Sequence, residues 1–125
     1  MINVYIRKSG NHYNEYEITG HANYATNGKD IVCAAVSALE DSMLVSLENM
    51  KVLISKTQYI NEHASITLIN PNEYTDVVLS VFENGISRLE EAYPDYVKLH
   101  LETWVFLFCP NHDDCKSYGK HSQEE

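Results

Sequence analysis

The sequence predicts an α+β protein, a two-layer sandwich in which two helices lie on one face of a mostly antiparallel sheet. Several short segments alternate apolar and polar residues, which is the period of a strand with one buried face. Two longer segments repeat apolar residues every three or four positions, the period of a helix with one buried face. In chain order these segments are β-β-α-β-β-α-β. Helices with one apolar face bury that face by packing on a sheet.

The predicted strands form two hairpins and one final strand. Ile2, Val4 and Ile6 alternate with polar residues, 9–11 has turn chemistry, and residues 13–19 alternate again. Residues 51–60 and 64–69 are rich in Ile, Val and Thr and are separated by 61–63, which indicates a second hairpin. The alternation of residues 97–102 predicts the last strand.

The predicted helices have recognisable starts. The first has an apolar stripe of Val32, Ala35, Val36, Leu39, Met43, Leu47 and Met50. Asp30 precedes it, where a carboxylate can cap the free amides. The second helix is predicted to start at 70–73, with Asn70 as the cap, a proline next and an acid three residues after the cap. Its expected buried face is Val77, Val81, Ile86 and Leu89.

Composition limits the class of protein. The chain has 125 residues, the size of one domain, with 9 Lys and Arg against 18 Asp and Glu, a formal net charge of -9. This charge argues against direct nucleic-acid binding, which needs cations to neutralise phosphates. Residues 1–8 lack the apolar run of a signal peptide, and no segment has the apolar length of a membrane helix. We therefore expect a cytoplasmic protein with no membrane contact.

One stretch of the sequence contains candidate catalytic residues. Gly20-His21-Ala22 follows a predicted strand, and 28–37 leads into the first helix with Cys33 in its first turn. The dipole and free amides of a helix start stabilise a thiolate, and a neighbouring imidazole can activate it and protonate a leaving amine. The alternative is structural, because a cysteine among Val and Ala is usually a buried small residue and a histidine at a strand end is usually solvated.

These residues resemble a family signature. The run G-H-A followed by G-K-D-I-V-C-A-A-V-S-A-L is similar to the motif of the ribosomal-processing cysteine protease family Prp. The resemblance extends from Met1 to about Leu101. It implies that His21 is the catalytic histidine and Cys33 the nucleophile of a cysteine endopeptidase. Family members are small α+β sandwiches, commonly dimeric, that remove a short N-terminal extension from the twenty-seventh large-subunit ribosomal protein. The expected partners are that precursor peptide and a second copy of the chain, with no cofactor.

Four further residues are candidates for supporting roles. Asp30 either caps the helix, and then raises the pKa of Cys33 by its charge, or turns to His21 and orients the imidazole. Ser37 lies one turn after Cys33 and can bond the thiolate or substrate, or a carbonyl of its own helix. Gly20 and Gly28 bracket a loop over 22–29 that has few apolar anchors, so we expect it to be poorly ordered until it closes over substrate. Backbone amides near the helix start are the first candidates to hold an oxyanion.

The resemblance divides the chain into a protease domain, 1–102, and a C-terminal extension, 103–125. Cys109, His112, Cys115 and His121 invite a zinc-site interpretation, but their spacing matches no recognised pattern, and short polar tails are usually disordered. We therefore expect a partly disordered extension and no metal site, and a Cys109–Cys115 disulfide is disfavoured in a reducing cytosol.

Two other functions compete with proteolysis. The first is a non-catalytic, ribosome-associated binding module in which the motif region cradles a partner. The second is a thiol redox sensor, against which the absence of a C-x-x-C pair counts.

Overall fold

A computed structural model describes residues 1–26, 29–52, 54–57, 63–104 and 120–123. Its elements, in chain order, are β1 (Ile2–Ser9), β2 (His12–Thr19), α1 (Ile31–Asn49), β3 (Ile54–Thr57), β4 (His63–Leu68), α2 (Glu73–Ala92), β5 (Val97–Trp104) and β6 (Lys120–Gln123).

The strands form one sheet in the order β3-β4-β2-β1-β5-β6. All neighbouring pairs are antiparallel except β1 and β5, which run parallel after α2 carries the chain back across the sheet. The predicted α+β sandwich is confirmed. The sequence did not predict β6, because residues 120–123 lack the apolar alternation that marks a strand with a buried face.

The core lies between the sheet and the two helices. Alternate residues of four strands face it, and they are Ile2, Val4, Ile6, Tyr16, Ile18, Ala64, Ile66, Leu68, Val97 and Leu99. Both helices contribute to the same cluster of buried side chains. The opposite face of the sheet is polar, and there the Arg7 guanidinium bonds the carboxylates of Glu15, Glu17 and Glu102 at 3.0, 2.8 and 2.6 Å. The strand alternation therefore sorts apolar side chains to one face and charged ones to the other.

The start of α2 differs from its prediction. The N-cap is Asn72 instead of Asn70, since its Oδ1 accepts from the N–H groups of Tyr74 and Thr75 at 2.8 and 3.0 Å. The Thr75 hydroxyl in turn accepts from the Asn72 N–H at 2.8 Å, which completes a capping box. These bonds satisfy three backbone N–H groups at once, so the helix begins two residues later than the proline suggested.

The buried face of α2 was also partly wrong in the prediction. Val77 and Val81 are each 62% exposed, whereas Leu79, Phe82 and Ile86 are buried. The buried set begins at Thr75 and repeats at helical spacing, and Val77 and Val81 are rotated away from it toward an outer groove between the helices. Apolar residues at three-to-four spacing occur on both faces of α2, so the period alone did not select the inward face.

In the part of the chain that the structure describes, no helix combines the length and apolarity needed to cross a membrane.

Candidate active site

The end of β2 sets the position of His21. The strand stops at Thr19, and Gly20 follows with φ +84°, in the left-handed region that favours glycine. A Cβ on Gly20 would approach the Met1 carbonyl oxygen closer than 3.0 Å. Gly20 therefore has a structural reason to be glycine, whether or not the loop over 22–29 moves. His21 comes next and is exposed to solvent.

Asp30 is the N-cap of α1. Its Oδ1 accepts from the N–H groups of Val32 and Cys33 at 3.1 and 2.9 Å. Its Oδ2 accepts from the N–H of Tyr24 at 3.0 Å, which ties the preceding loop to the helix start. The bond from the Cys33 N–H is the main reason that the pKa of Asp30 lies below its usual range. Of the two roles considered for Asp30, the cap is the one these bonds describe.

A cleft between the start of α1 and the sheet brings most of the predicted site residues together. Its polar lining is Gly20, His21, Cys33, Ser37 and Glu40. Its apolar lining is Ile2, Ile18, Val36 and Ala64. Cys33 and Ser37 are one turn apart and face the cleft from the same side of α1. An apolar cleft with a few converging polar groups is the usual form of a small binding site.

The surroundings of Cys33 favour the thiol over the thiolate in this conformation. Burial raises the pKa of Cys33 most, and the hydrogen bond and negative charge of Asp30 raise it further. The backbone amide of Ala22, which bonds the sulfur, lowers it. The helix start was expected to depress this pKa, but the cap carboxylate that completes the helix also opposes the thiolate.

Glu40 is a site residue that the sequence analysis missed. Only 8% of its surface is exposed, and its Oε2 accepts from the hydroxyl of the buried Tyr16 at 2.8 Å. The available signal was its position, because Glu40 follows Val36 by four residues and so falls within the apolar stripe of α1. A carboxylate in a buried stripe is uncommon enough to deserve a functional explanation.

The loop before α1 is better anchored than its composition suggested. The ring of Tyr24, 41% exposed, packs edge-on against the rings of Tyr93 and Tyr96, with centroid distances of 5.4 and 5.1 Å. The expectation of few apolar anchors overlooked this tyrosine, whose contacts join residues distant in the sequence. Gly28 lies outside the described residues.

The described residues contain no group of three or more His, Cys, Asp or Glu side chains placed to hold a metal ion. The zinc alternative concerns Cys109, His112 and Cys115, which lie outside the described residues, as does the side chain of His121.

Known proteins resemble this chain in sequence. The Mycoplasma genitalium ribosomal processing cysteine protease Prp is 29% identical over 85 residues, which cover 68% of this chain and 85% of that protein. The Mycoplasma pneumoniae protein of the same name is 30% identical over 79 residues, covering 63% of this chain and 78% of the relative.

Solved structures share the fold. The ribosomal processing protease Prp from S. aureus, determined with a covalently linked product peptide, superposes with a TM-score of 0.75 at 22% identity, covering 81% of this chain and 99% of that one. A Streptococcus mutans protein superposes with a TM-score of 0.68 at 28% identity, covering 82% and 95% of the two chains. The sequence profile of the cysteine protease Prp family matches residues 1–98. This chain therefore belongs to the cysteine protease Prp family.

Proposed function

We propose that this protein is an endopeptidase that uses Cys33 and His21 to remove the N-terminal extension of the twenty-seventh large-subunit ribosomal protein. The observation that carries the proposal is the shared cleft, because His21 and Cys33 both line it although they come from different elements. The relatives supply the reaction class, since they are named ribosomal processing cysteine proteases.

His21 acts as a general base in the first step. Because the pKa of Cys33 is raised, the resting sulfur carries its proton, and a base must remove it as the bond to substrate forms. His21 is exposed at the cleft that Cys33 also lines, where its imidazole can take that proton. The sulfur attacks the scissile carbonyl carbon, and the carbonyl oxygen becomes the oxyanion.

Collapse of this intermediate releases the amine product, which takes the proton from His21 and leaves a thioester on Cys33. Water then attacks the thioester and gives a proton to His21, the C–S bond breaks to free the acid product, and His21 returns the proton to the Cys33 sulfur. The N–H groups of Val32 and Cys33, expected to hold the oxyanion, already donate to Asp30. We assign the oxyanion instead to the N–H of Ala22, which bonds the sulfur and so lies beside the reacting carbon.

The supporting residues have distinct proposed roles. Asp30 holds the helix start and the Tyr24 backbone in place, and it keeps the thiol protonated until substrate binds. Ser37 is exposed one turn from Cys33 in the cleft, where its hydroxyl can bond the substrate backbone. Gly20 admits the close approach of Met1 that positions His21.

The proposed ligand is an extended peptide. The S. aureus protease has been solved with a substrate peptide and with a covalently linked product peptide, which supports a peptide ligand and a covalent step for this chain. A homodimer and a cytoplasmic site of action without nucleic-acid binding remain predictions. The exposed Val77 and Val81, on the outer face of α2, offer an apolar surface on which a second copy can pack.

The test is cleavage of the purified ribosomal precursor, read by product mass. Wild-type protein should release the N-terminal extension, and Cys33→Ala and His21→Ala should each abolish release while keeping the wild-type circular dichroism spectrum and melting temperature. Retained cleavage by the Cys33→Ala variant would end the assignment. The binding-module alternative predicts that wild-type protein binds the precursor without ever cleaving it.

A further inference from the structure

Glu40 occupies a distinctive place in the cleft. The described residues that line the cleft include neither lysine nor arginine, and Glu40 supplies their only carboxylate. Apart from His21 and Cys33, the other lining residues have no ionisable side chain. A carboxylate in an apolar, poorly hydrated wall interacts strongly with a cation that enters the same space.

The Tyr16 hydroxyl holds this carboxylate in position. The bond to Oε2 is 2.8 Å long, and Tyr16 is fully buried in β2. The hydroxyl bonds one carboxylate oxygen and so orients the Glu40 side chain in the cleft wall. The formal net charge of -9 also favours the approach of a positively charged peptide.

The helix sets the distance between Glu40 and the nucleophile. Glu40 follows Cys33 by seven positions in α1, and a helix rises 1.5 Å per residue, which gives about 10 Å along the axis. An extended peptide spans the same distance in about three residues, at roughly 3.3 Å each.

We propose that Glu40 is a specificity-determining residue that selects a lysine or arginine about three residues from the scissile bond. This inference rests on the proposed protease function and adds to it the charge of one substrate side chain. A glutamate side chain at that position would bring two carboxylates together in the cleft, so it is rejected.

The test uses peptides that span the cleavage site of the ribosomal precursor, with Lys, Gln or Glu placed in turn at each of the four positions on either side. Wild-type protein should cleave the Lys peptide at one position with a kcat/KM at least tenfold above that of the Glu peptide, mainly through KM. Glu40→Gln should reduce this ratio to within about twofold of unity, and Glu40→Asp should keep a preference for Lys.

The matched control is Glu83→Gln. Glu83 also accepts from a tyrosine hydroxyl, that of Tyr13 at 2.8 Å, and it does not line the cleft that holds Cys33. This variant makes the same change in net charge and should keep the wild-type Lys-to-Glu ratio. If Glu40 serves only to pair with Tyr16, Glu40→Gln and Tyr16→Phe will lower the melting temperature while the ratio stays unchanged, which overturns the proposal.

Binding measurements test the role of Glu40 separately from the proposed protease function. The affinities of the same peptides for the Cys33→Ala variant, measured by fluorescence anisotropy, report the charge preference whether or not any peptide is cleaved. Absence of cleavage by wild-type protein would reject the protease function alone. Equal affinity of Lys and Glu peptides at every position would reject the role of Glu40, and this result needs no Glu40 variant that folds.

Discussion

Replacing Gly20 by alanine tests the link between the β2 end and the active site. Gly20 has φ +84° and lies against the Met1 carbonyl, whereas Gly10 has φ +63° and nothing within 4 Å of an added Cβ. The two glycines share a left-handed backbone and differ in the space around them. Gly10→Ala is therefore a matched control that isolates the effect of the close approach.

The expected magnitudes follow from that difference. A left-handed alanine costs about 1–2 kcal/mol, partly offset by about 0.4–1 kcal/mol because alanine restricts the unfolded chain. Gly10→Ala should thus destabilise the protein by roughly 0–1.6 kcal/mol. At Gly20 the added Cβ must also displace backbone, and overpacking of this kind costs about 1–3 kcal/mol. The displaced segment is constrained, because the adjacent Ile2 is buried and its N–H donates to the Tyr96 carbonyl at 2.8 Å.

Urea unfolding followed by circular dichroism measures both free energies of unfolding. We expect Gly20→Ala to lose roughly 2–4 kcal/mol and, while still folded, to show a much lower kcat/KM on the precursor peptide, because His21 is the next residue. Gly10→Ala should keep the wild-type kcat/KM. Equal destabilisation by the two variants would refute the argument from the Met1 contact, and full activity of folded Gly20→Ala would refute its role in placing His21.

Two further predictions concern the start of α1. Asp30→Asn retains an oxygen that caps the helix but removes the charge that raises the Cys33 pKa. The pH at which iodoacetamide alkylates Cys33 half-maximally, read by peptide mapping, should therefore fall. The midpoint of urea unfolding should change little. Asp30→Ala should lower the alkylation pH and also the urea midpoint. An unchanged alkylation profile in both variants would contradict the electrostatic effect of Asp30 on Cys33. Tyr24→Ala removes two ring contacts, each worth about 0.5–1.5 kcal/mol. It should speed amide hydrogen exchange over residues 22–26 in the substrate-free protein. Tyr74 is exposed, and Tyr74→Ala should leave this exchange unchanged. Equal exchange in wild type and Tyr24→Ala would show that this ring does not anchor the loop.

The sequence alone was sufficient for the features that depend on local pattern. Period-two alternation located β1, β2 and β5, and period-3.6 repetition located both helices, because each pattern reflects the geometry of a single element. The signature around His21 and Cys33 was readable for the same reason, since the motif is nearly continuous along the chain. Asp30 was a cap candidate because a cap acts within three residues of its own position.

Features that depend on contacts between distant residues required the tertiary structure. Val77 and Val81 have the same period as the buried residues of α2, and only packing decides which face turns inward. In the sequence Glu40 is an ordinary charged residue, and only the fold places Tyr16 beside it and sets it among the residues that line the cleft. The Cys33 pKa depends on burial, on Asp30 and on the Ala22 amide together, and burial is a property of the folded state alone.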